Sequence, residues 1–168
     1  EAARALLGAA VPVVAAMAGH APAGGCVLAL CCDYRIMAEG PFRIGLNETQ
    51  VGLVAPEGIQ SLLARCVGRH RAERLLVAGA MVDAAEASRT GLVDELAGID
   101  EVEVRAIAWL RGLLQLPRTP MLETRRIARA DAVDWLRAAR IDLPRFVADW
   151  MQPDTQAGLR AMLARIGK

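Results

Sequence analysis

A break in an apolar run is the first feature of this sequence that could support chemistry. The stretch GHAPAGGCVLALCC, residues 19–32, interrupts an Ala- and Val-rich segment with Pro-Ala-Gly-Gly and then resumes as apolar residues. This pattern predicts a strand that ends in glycines and leads directly into a helix. Backbone N–H groups at such a helix start can hold an anion or a developing negative charge. The turn is therefore a candidate binding or catalytic element.

The residues around the turn argue against two other uses of such a turn. No Gly-Lys-Ser or Gly-Lys-Thr follows, which excludes a P-loop, and no Ser or Cys stands at the turn itself, which excludes a nucleophile elbow. Cys26 belongs to the predicted apolar helix, so we do not expect it to be a nucleophile. One alternative stays open, that Gly24 and Gly25 serve only to shape a tight turn.

The elements that would position this turn follow the pattern of an α/β core. Residues 11–19 are a short, β-branched apolar run bounded by Gly, which predicts a strand buried on both faces. A buried helix over 24–33 and strands over 34–40 and 42–46 are predicted next. This alternation of strand, helix and strand is typical of an α/β core.

Downstream of Pro56 the pattern becomes helical. The apolar residues of the next segment recur at the spacing of one helix face. The predicted elements are helices over 57–68, 69–79 and 83–91 and a brief strand over 92–96. Asp83 is a plausible N-cap of the third helix, and Gly91 predicts where that helix ends.

The C-terminal part is predicted to be helical from about Asp100, with a break near Pro144. The sequence shows no repeat, low-complexity tract or linker that would separate this part from the rest. We therefore expect one domain, with residues 1–98 in the α/β core and residues 99–168 in a helical C-terminal region.

Composition and charge narrow the class of protein. The 168 residues carry 20 Lys and Arg against 19 Asp and Glu, a formal net charge of +1, so nucleic acid is not an expected partner. Cys26, Cys31, Cys32 and Cys66 lack the spacing of a metal site or a disulfide framework, and we expect reduced core thiols. No apolar run reaches the ~20 residues of a membrane span. These features predict a bacterial cytoplasmic protein with no membrane association and no metal.

Three sequence blocks lie in order along residues 11–96: PVVAAMAGHAPAGGCVLALCCDYRIMAE, RIGLNETQVGLVAP and GRHRAERLLVAGAMVDAAEASRTGLVDEL. Together they resemble the enoyl-CoA hydratase/isomerase (crotonase) superfamily. The resemblance implies an α/β fold of the ClpP/crotonase type, with a β-sheet core, surrounding helices and a helical C-terminal part. Within the superfamily, GLNETQVGLVAP is most similar to the mitochondrial type of Δ3,Δ2-enoyl-CoA isomerases.

The resemblance implies that the turn binds the thioester of an acyl-CoA. Family members hold the thioester oxygen in an oxyanion hole, and the position in the motif assigns one of its two backbone donors to the N–H of Gly24. Ala23 and Gly25 are then expected to contact substrate. Fixed donors at a helix start would stabilise the enolate left by proton removal, and loss of one such donor costs other enzymes about 3 kcal/mol of barrier. His20 is expected to be structural or to lie near CoA.

Two positions of the motif indicate which reaction the site performs. Hydratases of the superfamily carry one catalytic Glu three residues beyond the oxyanion Gly and a second in a later loop. Here the first position is Val27 and the second is Glu48. Because hydration uses two carboxylates and a double-bond shift needs one base, the resemblance implies an isomerase. Glu48 would remove a proton from C2 of a 3-enoyl-CoA and return it to C4, and Val27 would contact substrate.

The residues around Glu48 suit that role. Leu46, Val51 and Leu53 are apolar neighbours whose burial would raise the pKa of the Glu48 carboxyl, which makes it competent both as base and as conjugate acid. Leu46 and Asn47 are predicted to contact substrate, and Asn47 either orients Glu48 or shapes the turn. Taken alone, Glu48 could instead be a surface carboxylate or a helix N-cap partner.

The resemblance as a whole implies an enoyl-CoA isomerase that converts 3-enoyl-CoA to 2-trans-enoyl-CoA in fatty-acid β-oxidation. An acyl-CoA is the expected ligand, and no cofactor is expected, because coenzyme A is part of the substrate. Two alternatives stay open. One is another crotonase-type acyl-CoA reaction, by a hydratase or a dienoyl-CoA isomerase, and the other is a catalytically silent subunit of the same fold.

The resemblance also implies an assembly and a longer fold. The expected assembly is a homotrimer or a dimer of trimers, and the apolar stripe Leu159, Met162, Leu163 and Ile166 predicts a helix that packs on a partner or on its own core. The family's other oxyanion donor and much of its CoA-binding loop lie upstream of Val11. We therefore expect the N-terminal portion of the fold to be absent, either because residues are missing from this sequence or because the natural chain is short.

Overall fold

The computed structural model describes residues 1–167 and contains two small sheets. The first is parallel and joins, in spatial order, β1 (Val14–Met17), β3 (Tyr34–Ala38) and β6 (Glu95–Ala97). The second joins β2 (Ala21–Pro22), β4 (Arg43–Gly45) and β5 (Val82–Asp83), with β2 parallel and β5 antiparallel to β4. The predicted alternation of strand, helix and strand in an α/β core is confirmed.

Helices surround these sheets and form most of the C-terminal part. In the first part of the chain they are α1 (Ala2–Leu7), α2 (Gly24–Leu30), a 3-10 helix (Glu48–Val51), α3 (Glu57–Val67), α4 (Arg69–Ala78) and α5 (Ala84–Thr90). They continue as α6 (Val102–Leu113), α7 (Arg118–Ala128), α8 (Ala130–Trp135), α9 (Ala138–Ile141), α10 (Leu143–Trp150) and α11 (Pro153–Ile166). Across residues 1–167, no helix combines the length and the apolar character that a membrane span requires.

The first strand differs from its prediction. It spans Val14–Met17 rather than 11–19, and its residues are half-buried or exposed rather than buried on both faces. Pro12 has no N–H to donate to a neighbouring strand, which shortens the pairing. In the described chain β1 lies at the edge of its sheet, beside β3. An edge strand leaves part of its surface uncovered, which explains the exposure.

The helix boundaries downstream of Pro56 agree with the sequence signals. Asp83 caps α5, since its Oδ1 accepts a hydrogen bond from the N–H of Glu86 at 2.8 Å. Gly91 ends the same helix with a φ of 80°, a left-handed conformation that glycine adopts without steric cost. The helices predicted over 57–68, 69–79 and 83–91 are confirmed as α3, α4 and α5.

The predicted break near Pro144 is confirmed, and it lies at Asp142, between α9 and α10. Pro144 lies in the first turn of α10, where its missing N–H removes no helical hydrogen bond. The chain turns instead at Asp142, whose φ is 39° and whose side chain accepts a hydrogen bond from the N–H of Arg145. Two further interruptions, at Arg129 and Arg137, separate α7, α8 and α9.

A buried ion cluster ties the C-terminal helices to the core. Asp33, just before β3, accepts hydrogen bonds from Arg125 at 2.8 and 2.9 Å and from Arg129 at 2.7 Å. A fourth hydrogen bond comes from the N–H of Val13 at 2.7 Å. The Asp33, Arg125 and Arg129 side chains are only 11–13% exposed, so the charges lie largely out of water. The pairing compensates their desolvation and fixes α7 beside the strands.

Candidate active site

The second sheet brings the glycine turn next to the Glu48 segment. In the parallel pair of β2 and β4, Ala21 lies opposite Ile44 and Pro22 opposite Gly45. The pairing continues for one more step, because the N–H of Ala23 donates to the carbonyl of Gly45 at 2.9 Å. Parallel strands end at the same edge of a sheet, so α2 and the 3-10 helix begin side by side.

Ala23 makes the turn between β2 and α2 in a strained conformation. Its φ of 44° and ψ of −112° lie outside the regions that an L-residue prefers. Strain of this kind costs on the order of 1–3 kcal/mol and persists where the surrounding structure enforces it. Here the hydrogen bond to Gly45 and the start of α2 hold the residue from both sides. The chain direction therefore changes sharply just before Gly24.

Gly24 and Gly25 present free backbone donors after this turn. Both residues are exposed, and among the hydrogen bonds found within residues 1–167 none is donated by either N–H. A Cβ added to Gly24 would meet nothing within 4 Å, whereas one added to Gly25 would contact the Cβ of Ala21 at 3.6 Å. These N–H groups belong to the first turn of α2, where helical geometry leaves donors unpaired. The predicted oxyanion donor is thus available to a ligand.

Glu48 is half-buried at the start of the 3-10 helix. Its predicted neighbours Leu46, Val51 and Leu53 are buried, with exposures of 3, 6 and 4%. Desolvation by burial raises the pKa of the Glu48 carboxyl above its ordinary value. Its Oε2 is buried and has no hydrogen-bond partner among the described residues. The predicted burial and its effect on the pKa are confirmed, and the catalytic role stays a prediction.

The electrostatics of Cys26 relate Glu48 to α2. The Cys26 side chain is fully buried, two residues beyond Gly24. Burial raises the pKa of its thiol first, and the negative charge of Glu48 is the next largest cause. A charge affects a buried group strongly only when it lies nearby. Glu48 therefore lies near enough to α2 for its charge to act on the Cys26 thiol.

The position that would hold a second carboxylate is apolar. Val27, one turn into α2, is half-buried and packs against the main hydrophobic cluster. Its N–H donates to the carbonyl of Ala23 at 2.9 Å, so it belongs to the regular helix. The position of the second hydratase carboxylate thus carries an apolar side chain.

The C-terminal helix α11 supports the Glu48 segment, which sequence patterns alone did not predict. The Nδ2 of Asn47 lies 3.8 Å from the sulfur of Met162, and the Oδ1 of Asn47 is buried without a partner among residues 1–167. The hydroxyl of Thr155 donates to the carbonyl of Gly52 at 3.1 Å. Within the predicted apolar stripe, Met162 thus packs on its own chain. Leu163 is 62% exposed, and the side chain of Ile166 lies outside the described residues.

His20 and the four cysteines, the remaining candidate residues, make contacts that serve the fold. His20 is exposed, and its Nδ1 accepts a hydrogen bond from the N–H of Arg43 at 3.1 Å, which joins the start of β2 to β4. Cys26, Cys31 and Cys32 are buried free thiols and Cys66 is half-buried. In the part of the chain that the structure describes, no group of three or more His, Cys, Asp or Glu side chains could hold a metal ion.

The comparison with known families agrees with this arrangement. The family model described as "Enoyl-CoA hydratase/isomerase" matches residues 1–163. The chain belongs to the enoyl-CoA hydratase/isomerase family. Curated members of this family include "Enoyl-CoA delta isomerase 1, mitochondrial" of Mus musculus and of Homo sapiens, each 35% identical over 156 residues. That match covers 92% of this chain and 54 and 52% of those proteins. The chain thus spans about half the length of the curated relatives it matches.

Other family members broaden the comparison. A "Probable enoyl-CoA hydratase" of Rhizobium meliloti is 30% identical over 156 residues, which cover 92% of this chain and 60% of that protein. The crystal structure of human mitochondrial delta3-delta2-enoyl-CoA isomerase superposes with a TM-score of 0.89 at 32% identity, over 98% of this chain and 65% of that one. The fold is therefore crotonase-like, as predicted.

Proposed function

We propose that the protein is an enoyl-CoA isomerase that converts a 3-enoyl-CoA to the 2-trans isomer, a step of unsaturated fatty-acid oxidation. One observation carries the proposal. The half-buried Glu48, whose carboxyl has a raised pKa, and Gly24, whose N–H is free, follow two paired parallel strands at the same edge of the sheet. Val27 makes the second carboxylate position apolar. Similarity to proteins named enoyl-CoA delta isomerase supports the same assignment.

In the proposed reaction Glu48 is the base and the N–H of Gly24 is one of the oxyanion donors. The Glu48 carboxylate takes the proton from C2, and the electron pair of that bond moves onto the thioester oxygen as a dienolate. The N–H of Gly24 donates a hydrogen bond to this oxygen, which stabilises the charge without reorganisation. The carboxylic acid of Glu48 then returns the proton to C4, and the double bond forms between C2 and C3. Atoms and electrons balance within the substrate.

The burial of Glu48 suits both halves of this transfer. A carboxyl with its ordinary pKa is a weak base toward a thioester α-proton, and it would hold a proton too briefly to return it. Burial raises the pKa of Glu48, which makes the carboxylate a stronger base. Efficient proton transfer is expected when the pKa of the group approaches the working pH.

Hydration is the second candidate, because relatives named probable enoyl-CoA hydratase also match the chain. Hydration adds water across a double bond and uses two carboxylates in the superfamily. Val27 occupies the first of these positions and packs on the core, which favours isomerisation. A Val27→Glu variant should gain at most a trace of hydratase activity, because it also buries a charge against apolar side chains.

Two parallel rate measurements on the purified enzyme test the proposal. One follows formation of the 2-enoyl thioester from 3-hexenoyl-CoA, and the other follows loss of the 2-hexenoyl-CoA double bond by hydration. We expect isomerisation to exceed hydration by at least a hundredfold. Faster hydration would replace the proposal with a hydratase. Acyl-CoA binding without either reaction would favour a catalytically silent subunit.

The proposed enzyme assembles as a homotrimer or a dimer of trimers, as its superfamily does. Exposed apolar side chains on α10, on α11 and in the turn between them support an interface, among them Leu143, Val147, Met151 and Leu163. Light scattering coupled to gel filtration measures the assembly directly. A monomeric mass at micromolar concentration would contradict it.

A further inference from the structure

Three contacts place α11 along the segment that carries Glu48. The buried Thr155 donates its hydroxyl to the carbonyl of Gly52 at 3.1 Å. One turn further along, Gly158 lies so close to Val51 that an added Cβ would approach its Cα to 3.3 Å and its oxygen to 3.4 Å. Met162, a further turn on, contacts Asn47.

The sequence in which residues of α11 meet their partners gives the direction in which the helix packs. As α11 advances from Thr155 to Met162, about 10 Å at 1.5 Å per residue, its partners go back from Gly52 to Asn47. The helix therefore runs antiparallel to the 3-10 segment and touches both of its ends. A 3-10 helix of four residues is too short to be stable on its own, so its position depends on what packs against it.

The hydrogen bond from Thr155 to Gly52 is the contact that bears most directly on the position of Glu48. At 2% exposure it is a buried polar side chain on a largely exposed helix, and its hydrogen bond goes to the residue that ends the 3-10 helix. Gly52 has a φ of 78°, and a Cβ there would meet the Thr155 hydroxyl at 3.0 Å. The next residue, Leu53, donates its N–H to the carbonyl of Glu48 at 3.0 Å. Thr155 thus binds Gly52, and the residue that follows Gly52 is hydrogen-bonded to the backbone of Glu48.

We propose that Thr155 and Gly158 of α11 are positioning residues for the Glu48 carboxylate. This inference rests on the proposed function, in which Glu48 transfers the proton. Removal of the Thr155 hydroxyl, or added bulk at Gly158, lets the 3-10 helix move relative to Gly24. A carboxylate displaced by a fraction of an ångström transfers a proton more slowly, while the acyl-CoA still binds at the turn.

Two variants with matched controls test the proposal. Thr155→Val removes the hydroxyl at nearly constant shape, and its control is Thr90→Val in α5, where a buried Thr hydroxyl donates to the carbonyl of Glu86 at 2.8 Å. Gly158→Ala adds the crowded Cβ, and its control is Gly112→Ala in α6, where the Cβ would meet nothing within 4 Å.

The expected result is kinetic. Thr155→Val and Gly158→Ala should each lower kcat for 3-hexenoyl-CoA at least fivefold with KM changed less than twofold, and both controls should keep kcat within twofold. Thr155→Ser keeps the hydroxyl and should restore kcat. The acid limb of kcat/KM should move to lower pH in Thr155→Val, because a looser segment exposes the carboxyl to water. Equal kcat in Thr155→Val and Thr90→Val would overturn the inference.

Hydrogen exchange separates this inference from the proposed function. Amides of residues 47–53 should exchange at least fivefold faster in Thr155→Val than in wild type, and Thr90→Val should leave them unchanged. If wild type shows no isomerisation, the proposed function fails, and with it the catalytic part of this inference, while exchange still reports on the support that α11 gives. If wild type is active and neither kcat nor exchange responds, only the positioning inference is wrong.

Discussion

Gly45 offers the most direct mechanical perturbation of the proposed site. It is buried in β4, its carbonyl accepts the N–H of Ala23, and its strand leads to Glu48. A Cβ added here would lie 3.2 Å from the Cα of Met81 and 3.3 Å from the carbonyl carbon of Ala80, with the Ala80 oxygen closer still. Because all three are backbone atoms, no side-chain rotation relieves the contact.

The consequence of Gly45→Ala follows from the size of the overlap. Carbon atoms pack best at about 3.5–4.0 Å, so β4 must move away from Met81 by roughly 0.5 Å or more. Overpacking of this kind costs about 1–3 kcal/mol, and a protein of this size loses about 2–4 °C of Tm per kcal/mol, so a loss of 2 kcal/mol lowers Tm by about 4–8 °C. Because a 1 Å misplacement near the chemistry can cost about 100-fold in rate, we expect kcat to fall at least tenfold.

The assay compares Gly45→Ala with Gly112→Ala in α6. The control fills open space on a helix, where Ala is favoured over Gly by about 1 kcal/mol, so its Tm should rise slightly with kcat unchanged. Thermal melting and turnover of 3-hexenoyl-CoA are measured on both. If Gly45→Ala keeps the Tm and the kcat of the control, the close approach of β4 to Ala80 does not position the site, and the reasoning is refuted.

Three further predictions concern pH, buried charge and thiols. Because burial raises the pKa of Glu48 and the base must be ionised, the acid limb of kcat/KM should have its midpoint above 4.5, and a pH–rate profile with a midpoint at or below that value would contradict this. The same raised pKa means that any stability gained from protonated Glu48 is lost as pH rises through its folded value. Asp33→Asn leaves Arg125 and Arg129 without their buried partner and should lower the free energy of unfolding by about 3 kcal/mol in urea titrations. The control Glu123→Gln removes an exposed pair with Arg126 and should change the urea midpoint of unfolding little. Burial raises the pKa of Cys31 to about 12 and also raises that of Cys26. Iodoacetamide at pH 8 should therefore leave both thiols unlabelled in the native protein and label them after unfolding. Rapid labelling of Cys26 in the native protein would show that α2 is not packed as described.

Local sequence signals were sufficient where a short segment determines its own structure. The apolar spacing of residues 57–68, the cap at Asp83 and the stop at Gly91 each act within a few residues, and the structure agrees with them. The raised pKa of Glu48 was predictable for a similar reason, because its apolar neighbours at Leu46 and Val51 are close in sequence.

Long-range contacts were beyond such reasoning. β2 has two residues, too few for a periodic pattern. The close approach of Gly45 to the backbone at Ala80 joins segments that are far apart in the sequence. The support from α11 comes from Thr155 and Gly158, which are small or polar and do not stand out in an apolar stripe. The stripe through Met162 indicated only that α11 packs on something.

Turnover of 3-hexenoyl-CoA by Glu48→Gln tests the central claim most directly. The amide keeps the shape of the side chain and cannot accept and return a proton, so the loss should appear in kcat while acyl-CoA binding remains. Binding of a non-reactive acyl-CoA, measured by calorimetry on the same preparation, shows that the site is intact. We predict that the variant binds the acyl-CoA within threefold of wild type and loses more than 90% of its turnover. Retention of a tenth or more of wild-type turnover would contradict the account, because the proton would then travel by another group.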